Sequence, residues 1–388
     1  MNVTLTHWRE AASLIVAAAL RGAQAVLKHS HGSGLEVQTR LPQNTFDYRT
    51  LLLQRSPMSS FLPNAHVFPG GLVDAADFSN RWLNVFKSHA QKPNFGLPLV
   101  KQDLSTRCPI FLTDRTKFGS LVPGEVAFRI CAIRETFEES GILLVVPESC
   151  DTNSSQPLTK VADYDHEELA RWRLKVQSDP AHFLQMCTEL GCMPNIWALH
   201  EWGNWLTPAI SQNEKKRRYD TAFFICCLEE KPHTIDDQKE ITSFKWLTPP
   251  EAIELWRAQK IRLAPPQFYE LSRMCHFSSL SELHRFNIDR ASEGCERWLP
   301  VILIASDGFM QLLPGDELYP EEPDWTGEMP ILSVDKKRED LRKKDSKLHR
   351  IEHQDHQVIV YMNIVPNYKH ISPLITDPKD EAHCNSRL

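Results

Sequence analysis

Residues 124–140, GEVAFRICAIRETFEES, constrain this chain more than any other stretch. Val126, Ile130, Ile133 and Phe137 follow the spacing i, i+4, i+7, i+11 and so form one apolar seam along a helix. Glu135, Glu138 and Glu139 crowd a little more than one turn of that helix. At 100° per residue Glu135 lies about 200° around from Phe137, so the carboxylates face away from the seam. Gly141 suits the left-handed residue that ends a helix. Carboxylates at i, i+3 and i+4 repel, each pair costing roughly 0.2–0.5 kcal/mol, and Arg134 relieves only part of this by pairing with Glu138 at i+4. The cluster reads either as a solvated acidic face or as oxygen ligands for Mg²⁺ or Mn²⁺.

The surrounding pattern is that of an α/β protein. AASLIVAAAL (11–20) is apolar enough for a buried strand, and the alternative of a secretory leader lacks a basic segment before it. FDYRTLLLQRS (46–56) predicts a second strand, and VFPGGLVDAADF (67–78) a Pro-Gly-Gly turn. Residues 79–123 show no sustained periodicity and read as an insertion. ILLVV (142–146) predicts a buried strand, 164–190 a helical region, and HEWGNWLTP (200–208) a turn-rich passage. YDTAFFICCL (219–228) and ITSFKWL (241–247) predict strands, and PPEAIELWRAQ a helix with proline at its start. Beyond residue 300, two strands are expected in WLPVILIASDGFMQLLPGDELYP. RKKDSKLHRIEHQDH then reads as a charged connector, HQVIVYMNIV as a strand, and the last residues as a polar, disordered tail. The expected division is a domain over 1–300, with a second, helical insert at about 160–200, and an extension over 301–388.

Composition narrows function. At 388 residues and 41% hydrophobic, the chain can bury a large core. A net charge of −6 gives no support for binding held mainly by nucleic-acid phosphates. The 10 cysteines are scattered without a CxxC pair, which favours a reducing compartment. Cys187-x4-Cys192, with His182 and His200 nearby, is the one spacing that suggests zinc, but it lacks paired short spacings. No apolar run approaches the roughly 18 residues of a membrane span.

Arg134-Glu135-Thr136-Phe137-Glu138-Glu139-Ser140-Gly141-Ile142 resembles the second half of the nudix hydrolase signature. Phe68-Pro69-Gly70-Gly71, with Asp77 six residues after Gly71, resembles the first half, with Asp where that family usually has Glu. The family separates the halves by a few residues; here roughly 50 more intervene. The resemblance implies an α/β/α sandwich around a mixed sheet, with a long insertion inside the signature, that cleaves a diphosphate linked to another moiety. It implies Glu135 and Glu139 as main ligands of Mg²⁺ or Mn²⁺, Glu138 as a further ligand or the base acting on water, and Arg134 as their orienting partner. Gly70 and Gly71 would let backbone approach phosphate because no Cβ intervenes. Glu240 is a candidate for the later acid that the family often supplies.

LLLQRSPMSSFLPNAHVFPGG resembles the coenzyme A-cleaving branch of the family at Arg55 and Ser56, while Ser60 and Asn64 stand where that branch has a second Arg and a Gly. Ser386-Arg387-Leu388 resembles a peroxisomal address, which implies an import receptor as partner. Together these features resemble the peroxisomal acyl-coenzyme A diphosphatase group within the nudix family. The function implied is hydrolysis of CoA and acyl-CoA esters to 3′,5′-ADP and (acyl-)4′-phosphopantetheine. The alternatives are ADP-ribose, a dinucleotide or an RNA cap as substrate, or a nudix-like module that binds without cutting. Trp202, Trp205 and His200 could stack on adenine, line an acyl channel or cap a core. Arg217 and Arg218 could contact the 3′-phosphate of CoA or mark a solvated strand entrance.

Overall fold

The computed structural model describes residues 8–20, 45–150, 158–208, 218–237, 239–343, 345–354 and 357–374. The main sheet is built in chain order from β1 (Arg9–Ala19), β2 (Tyr48–Arg55), β3 (Ala65–Val67) and β4 (Gly70–Leu72). A short pair, β5 (Val145–Pro147) and β6 (Cys192–Pro194), stands apart from it. β7 (His200–Leu206), β8 (Tyr219–Leu228), β9 (Ile241–Leu247), β10 (Arg262–Leu263) and β11 (Arg297–Trp298) complete the main sheet. Among the described residues it is nine-stranded, with the order β10-β3-β2-β1-β8-β7-β11, β4 on β1 and β9 on β2. It is mixed: β1 runs parallel to β8 from Arg9↔Tyr219 to Ala18↔Leu228 and antiparallel to β2 and β4.

The long apolar run of β1 follows from its place in the middle, covered on both faces. Ala12, Leu14, Val16 and Ala18 enter one core while Ile15 and Ala17 enter the other. β8 alternates in the same way, with Phe224 and Cys226 on the first side and Phe223, Ile225 and Cys227 on the second. Helices α1 (Trp82–Phe86), α2 (Pro109–Leu112), α3 (Gly124–Ser140), α4 (His166–Ser178) and α5 (Ala181–Glu189) gather on the first side. α6 (Pro249–Arg257), α7 (Pro265–Met274) and α8 (Leu280–Asp289) gather on the second. This is the α/β/α sandwich expected.

Residues 79–123 are no surface excursion. Trp82, Val85, Phe86, Phe95, Ile110, Phe111 and Val122 all lie in the core beneath α3. The segment is a chain of one-turn helices, too short to show a helical period. Arg107 fastens it by donating to Glu201 Oε1 at 2.6 Å and Oε2 at 2.5 Å on β7 and to Glu125 at 2.6 Å on α3.

A second sheet follows: β12 (Val301–Ala305), β13 (Gly308–Leu312), β14 (Leu332–Ser333), β15 (His349–Gln354) and β16 (Gln357–Met362), in the order β14-β12-β13-β15-β16. Ile351 and Val360 carry it onto the second core of the main sheet. His349 lies between them, its Nε2 2.9 Å from Tyr269 Oη and its Nδ1 2.7 Å from the Pro314 carbonyl.

Three expectations are corrected. HEWGNWLTP is mostly strand: β7 tolerates Gly203 because the register against β8 slips between Glu201 and Gly203, a bulge where glycine fits. The charged connector contains β15; Arg350 is neutralised by Asp316 through Nε and Nη2, both at 2.7 Å, so its charge masked an ordinary strand alternation. Of 142–146 only Val145 and Val146 are in strand, although Ile142, Leu143 and Leu144 are buried as expected. The segment read as strand or leader is strand β1. Among the described residues no helix is long and apolar enough to cross a membrane.

Candidate active site

α3 is covered nearly all round, with 14 of its 17 residues buried, so its acidic side is not a solvated face. What covers that side is β4. Gly71 approaches so closely that a Cβ there would lie 2.4 Å from Glu135 Oε2. A Cβ on Gly70 would lie 2.4 Å from the Ala12 carbonyl oxygen of β1. Gly70, which meets backbone and has φ 153°, is required for the loop to pass the central strand, while a side chain on Gly71 would displace the Glu135 carboxylate. Gly141, in the left-handed conformation at φ 73°, ends the helix and donates to the Phe137 carbonyl.

The cluster is organised by one guanidinium. Arg134, 2% exposed, donates to Asp77 Oδ1 through Nε and to Oδ2 through Nη2, each at 2.9 Å. Its Nη1 reaches Glu135 Oε1 at 2.8 Å and Glu138 Oε1 at 2.7 Å. Its Nη2 also reaches the Leu72 carbonyl at 3.0 Å, which ties β4 to α3. Glu139 is turned the other way and accepts from the Gly70 amide at 2.9 Å. Three carboxylates thus meet one guanidinium, and a fourth, Glu139, stands apart from it on the Gly70 amide.

Electrostatics reflect that excess. Burial, partly offset by Arg134, raises the Glu135 carboxyl to about 7. Burial also raises Glu138, against the pull of Arg134. Glu139 is pushed well up by burial and then by the Glu135 charge, with the Gly70 amide and Arg55 acting in the opposite sense. Each of these acids is held in a place that favours its neutral form unless a cation compensates it.

The residues fit a hard divalent cation: an oxygen-only, multiply anionic donor set beside a glycine backbone. Yet among the described residues no three or more His, Cys, Asp or Glu side chains converge on a common point where an ion could sit. The reason is visible in the bonding, since Glu135 and Glu138 are drawn onto Arg134 while Glu139 faces Gly70. The residues of the zinc spacing are engaged elsewhere. Cys187 and Cys192 are buried in mutual hydrogen bonding, His182 binds the Lys175 carbonyl, and His200 stands edge-on to His284.

Arg55 and Ser56 lie at the end of β2. Arg55 holds the following loop, donating to Ser59 Oγ from Nε at 3.1 Å and from Nη2 at 2.9 Å, and to the Phe61 carbonyl at 3.0 Å. The Ser56 amide donates to the Glu240 carbonyl at 2.7 Å. Glu240 is exposed, and its charge pushes Glu138 and Glu139 further up, which places it beside the cluster. Trp202 and Trp205 are core residues, both donating to Glu270. Arg218 is buried, stacked on Trp8 and bonded to the Trp325 carbonyl at 3.1 Å, so it is neither a phosphate contact nor a solvated entrance. Arg217, Ser386, Arg387 and Leu388 fall outside the described residues.

Sequence reasoning missed two supports. Arg173 Nε and Gln177 Nε2 of α4 donate to the Glu138 carbonyl at 2.9 and 2.8 Å and so fix the end of α3. Asp77 was noticed as a substitution, not as the bidentate clamp on Arg134. The helical character of 166–178 was the only available hint of the first, and no local pattern pointed to its partner.

The NUDT19 Nudix domain model matches residues 8–274, and the NUDT19 C-terminal domain model matches 302–363. Among curated relatives, the Xenopus laevis protein named acyl-coenzyme A diphosphatase NUDT19 is 54% identical over 98% of this chain and 99% of its own length. The Homo sapiens protein of the same name is 42% identical over 95% of each. A NUDIX hydrolase structure from Alicyclobacillus acidocaldarius aligns with a TM-score of 0.48 at 18% identity, covering 73% of this chain and 97% of that one. With both halves of the split signature brought together on α3 and β4, and the Nudix domain model matching residues 8–274, the chain belongs to the Nudix hydrolase family.

Proposed function

We propose that this protein hydrolyses the phosphoanhydride of coenzyme A and acyl-CoA esters, releasing 3′,5′-ADP and (acyl-)4′-phosphopantetheine, with Mg²⁺ or Mn²⁺ as cofactor. The observation that carries the chemistry is the carboxylate excess at α3: Asp77, Glu135 and Glu138 on one arginine, with Glu139 on the Gly70 amide. The substrate class is supported by the names of the relatives and by Arg55 and Ser56 in the matching segment.

Glu135 and Glu139 would hold the cation, with Glu138 as a further ligand or the base. A bound divalent ion supplies charge neutralisation at the phosphoanhydride and a more acidic water. Asp77 fixes the guanidinium plane of Arg134, and Arg134 in turn fixes Glu135 and Glu138. The Gly70 amide fixes Glu139. Glu138, whose Oε1 is held by Arg134, takes the proton of the attacking water on Oε2. Burial raises its affinity for protons, the direction that task asks for. Arg55 places a cation at the same end of the sheet, where it favours the anionic substrate.

The test is a panel of CoA, acyl-CoA, ADP-ribose, NADH and capped RNA incubated with protein and Mg²⁺, with products identified by mass. 3′,5′-ADP from CoA and its esters is expected. Preference for ADP-ribose overturns the substrate, and no product from any member favours a binding module. A peroxisomal location, resting on Ser386-Arg387-Leu388 alone, is part of the proposal. One residue appended after Leu388 is expected to send a tagged protein to the cytosol.

A further inference from the structure

A cavity of about 290 Å³ lies where the segment before β4 meets helices α6 and α7 and the β15–β16 hairpin. Trp256 and Phe268, with ring centroids 4.7 Å apart, form one wall, and Leu62, Ala65, Leu263 and Val358 supply further apolar lining. Arg262, which is exposed, and His353 are its polar members. The apolar surface continues outward. Phe309 stacks on His353 at 4.5 Å and Ile304 is its register partner, the two being 40% and 45% exposed.

The cavity lies at the β10–β3 end of the main sheet on the side of α6 and α7, so a ligand that reaches both it and the carboxylate cluster at α3 passes round that edge. Arg55 clamps Ser59 and the Phe61 carbonyl immediately before Leu62, and Ala65 precedes by five residues the Gly70 whose amide binds Glu139. Five residues of extended chain span at most about 18 Å. An extended pantetheine arm covers that kind of distance between phosphoanhydride and thioester. If each methylene fills about the 30 Å³ that a water takes in the liquid, the cavity accepts roughly ten carbons. Its mostly apolar lining, with Arg262 and His353 as its polar members, suits an alkyl chain.

We propose that this cavity holds the acyl chain of an acyl-CoA whose phosphoanhydride lies at the α3 carboxylates. The proposal rests on the CoA reading above and adds a chain-length preference to it. Transfer of alkyl surface from water predicts an affinity gain of up to about fourfold per methylene, levelling off near ten carbons.

Two measurements separate this proposal from the reading it rests on. Acetyl-, decanoyl- and hexadecanoyl-pantetheine, which carry no phosphate, are titrated against the full chain by calorimetry. Decanoyl-pantetheine is expected to bind at least about thirtyfold more tightly than acetyl-pantetheine, with little added by six further carbons. Val358→Trp, which fills the cavity from β16, is expected to remove most of that gain; Ala264→Leu does the same from the start of α7 should the first variant fail to fold. Absence of chain-length dependence, or a gain that survives in a folded filling variant, overturns the proposal. Turnover is measured in parallel, with KM for decanoyl-CoA expected to rise tenfold or more in the filling variant relative to its KM for CoA. If neither CoA nor its esters are cleaved, the functional reading fails, and the pantetheine titration still decides the cavity.

Discussion

The two faces of the main sheet each bury an acid–arginine constellation, and they are built on opposite charge logic. On the second face Glu270, fully buried, accepts from Trp202 Nε1 at 2.6 Å and Trp205 Nε1 at 2.7 Å and is paired with Arg273 at 3.2 Å. One carboxylate meets one guanidinium and two indole donors. On the first face Asp77, Glu135 and Glu138 share Arg134, while Glu139 accepts from a single backbone amide among the described partners. A buried pair that is neutral and hydrogen-bonded satisfies its own charges, and removing one partner is costly. A buried excess of one sign destabilises it, and a fold keeps such an excess where a ligand of the other charge completes it. Charge balance, rather than burial, separates the two sites.

The comparison breaks most sharply on exchanged variants. Glu139→Gln is expected to lower kcat for CoA cleavage by about a thousandfold or more, with melting unchanged or slightly improved in chelator. Turnover within tenfold of the parent would remove Glu139 from the chemistry. Glu270→Ala is expected to do the reverse. It leaves two indole donors and Arg273 uncompensated, so denaturant melts should show a loss of about 3–5 kcal/mol. Activity per folded molecule should stay within a fewfold. If that variant melted like the parent, the second face would not be the structural one.

Asp77→Asn sits between these in size. It removes the charge from the bidentate clamp on Arg134 while Glu135, Glu138 and Glu139 remain in place. The expected outcome is a 10–100-fold loss of metal affinity or turnover, read from Mg²⁺ and Mn²⁺ activation curves. Arg134→Lys should resemble it, since an ammonium cannot bridge three carboxylates in one plane.

What was legible in the sequence follows the same physics. α3 was readable because Val126, Ile130, Ile133 and Phe137 keep a helical period and Gly141 ends it. β1, β2 and β8 were readable because strands in the middle of a two-sided sheet are long apolar runs, and β9 because Phe244 and Trp246 alternate about the exposed Lys245. β7 was hidden by the bulge at Gly203, and β15 by charges whose partners, such as Asp316 for Arg350, lie far off in the chain. The core role of 79–123 was hidden because one-turn helices have no period to detect. In the site, the three glutamates and the Gly-Gly turn were legible from a local pattern. The Asp77 clamp and the grip of Arg173 and Gln177 on the Glu138 carbonyl exist only in the folded chain, across separations of 35 to 57 residues.

The smallest effect sharpens the comparison through its sign. In chelator, Glu135 titrates near 7 in the folded protein, above the ordinary 4.5 for a glutamate. The folded state therefore binds more protons than the unfolded one between those values, and its stability falls as pH rises through that window. On the second face His349 is held down to about 4, chiefly by burial, below the ordinary 6.5. There the unfolded state binds more protons, and stability is lost as pH falls from 6.5 towards 4. Each slope is bounded by about 1.4 kcal/mol per pH unit for a single proton. Glu135→Gln should flatten the loss between pH 5 and 7, and Mg²⁺ should flatten it in the parent, because both remove the need for a proton on that carboxylate. His349→Gln should remove a slope of opposite sign over nearly the same range, pH 4 to 6.5. If the two variants changed the slope of the melting-against-pH curve in the same direction, the opposition between a charge-excess face and a neutral face would be wrong.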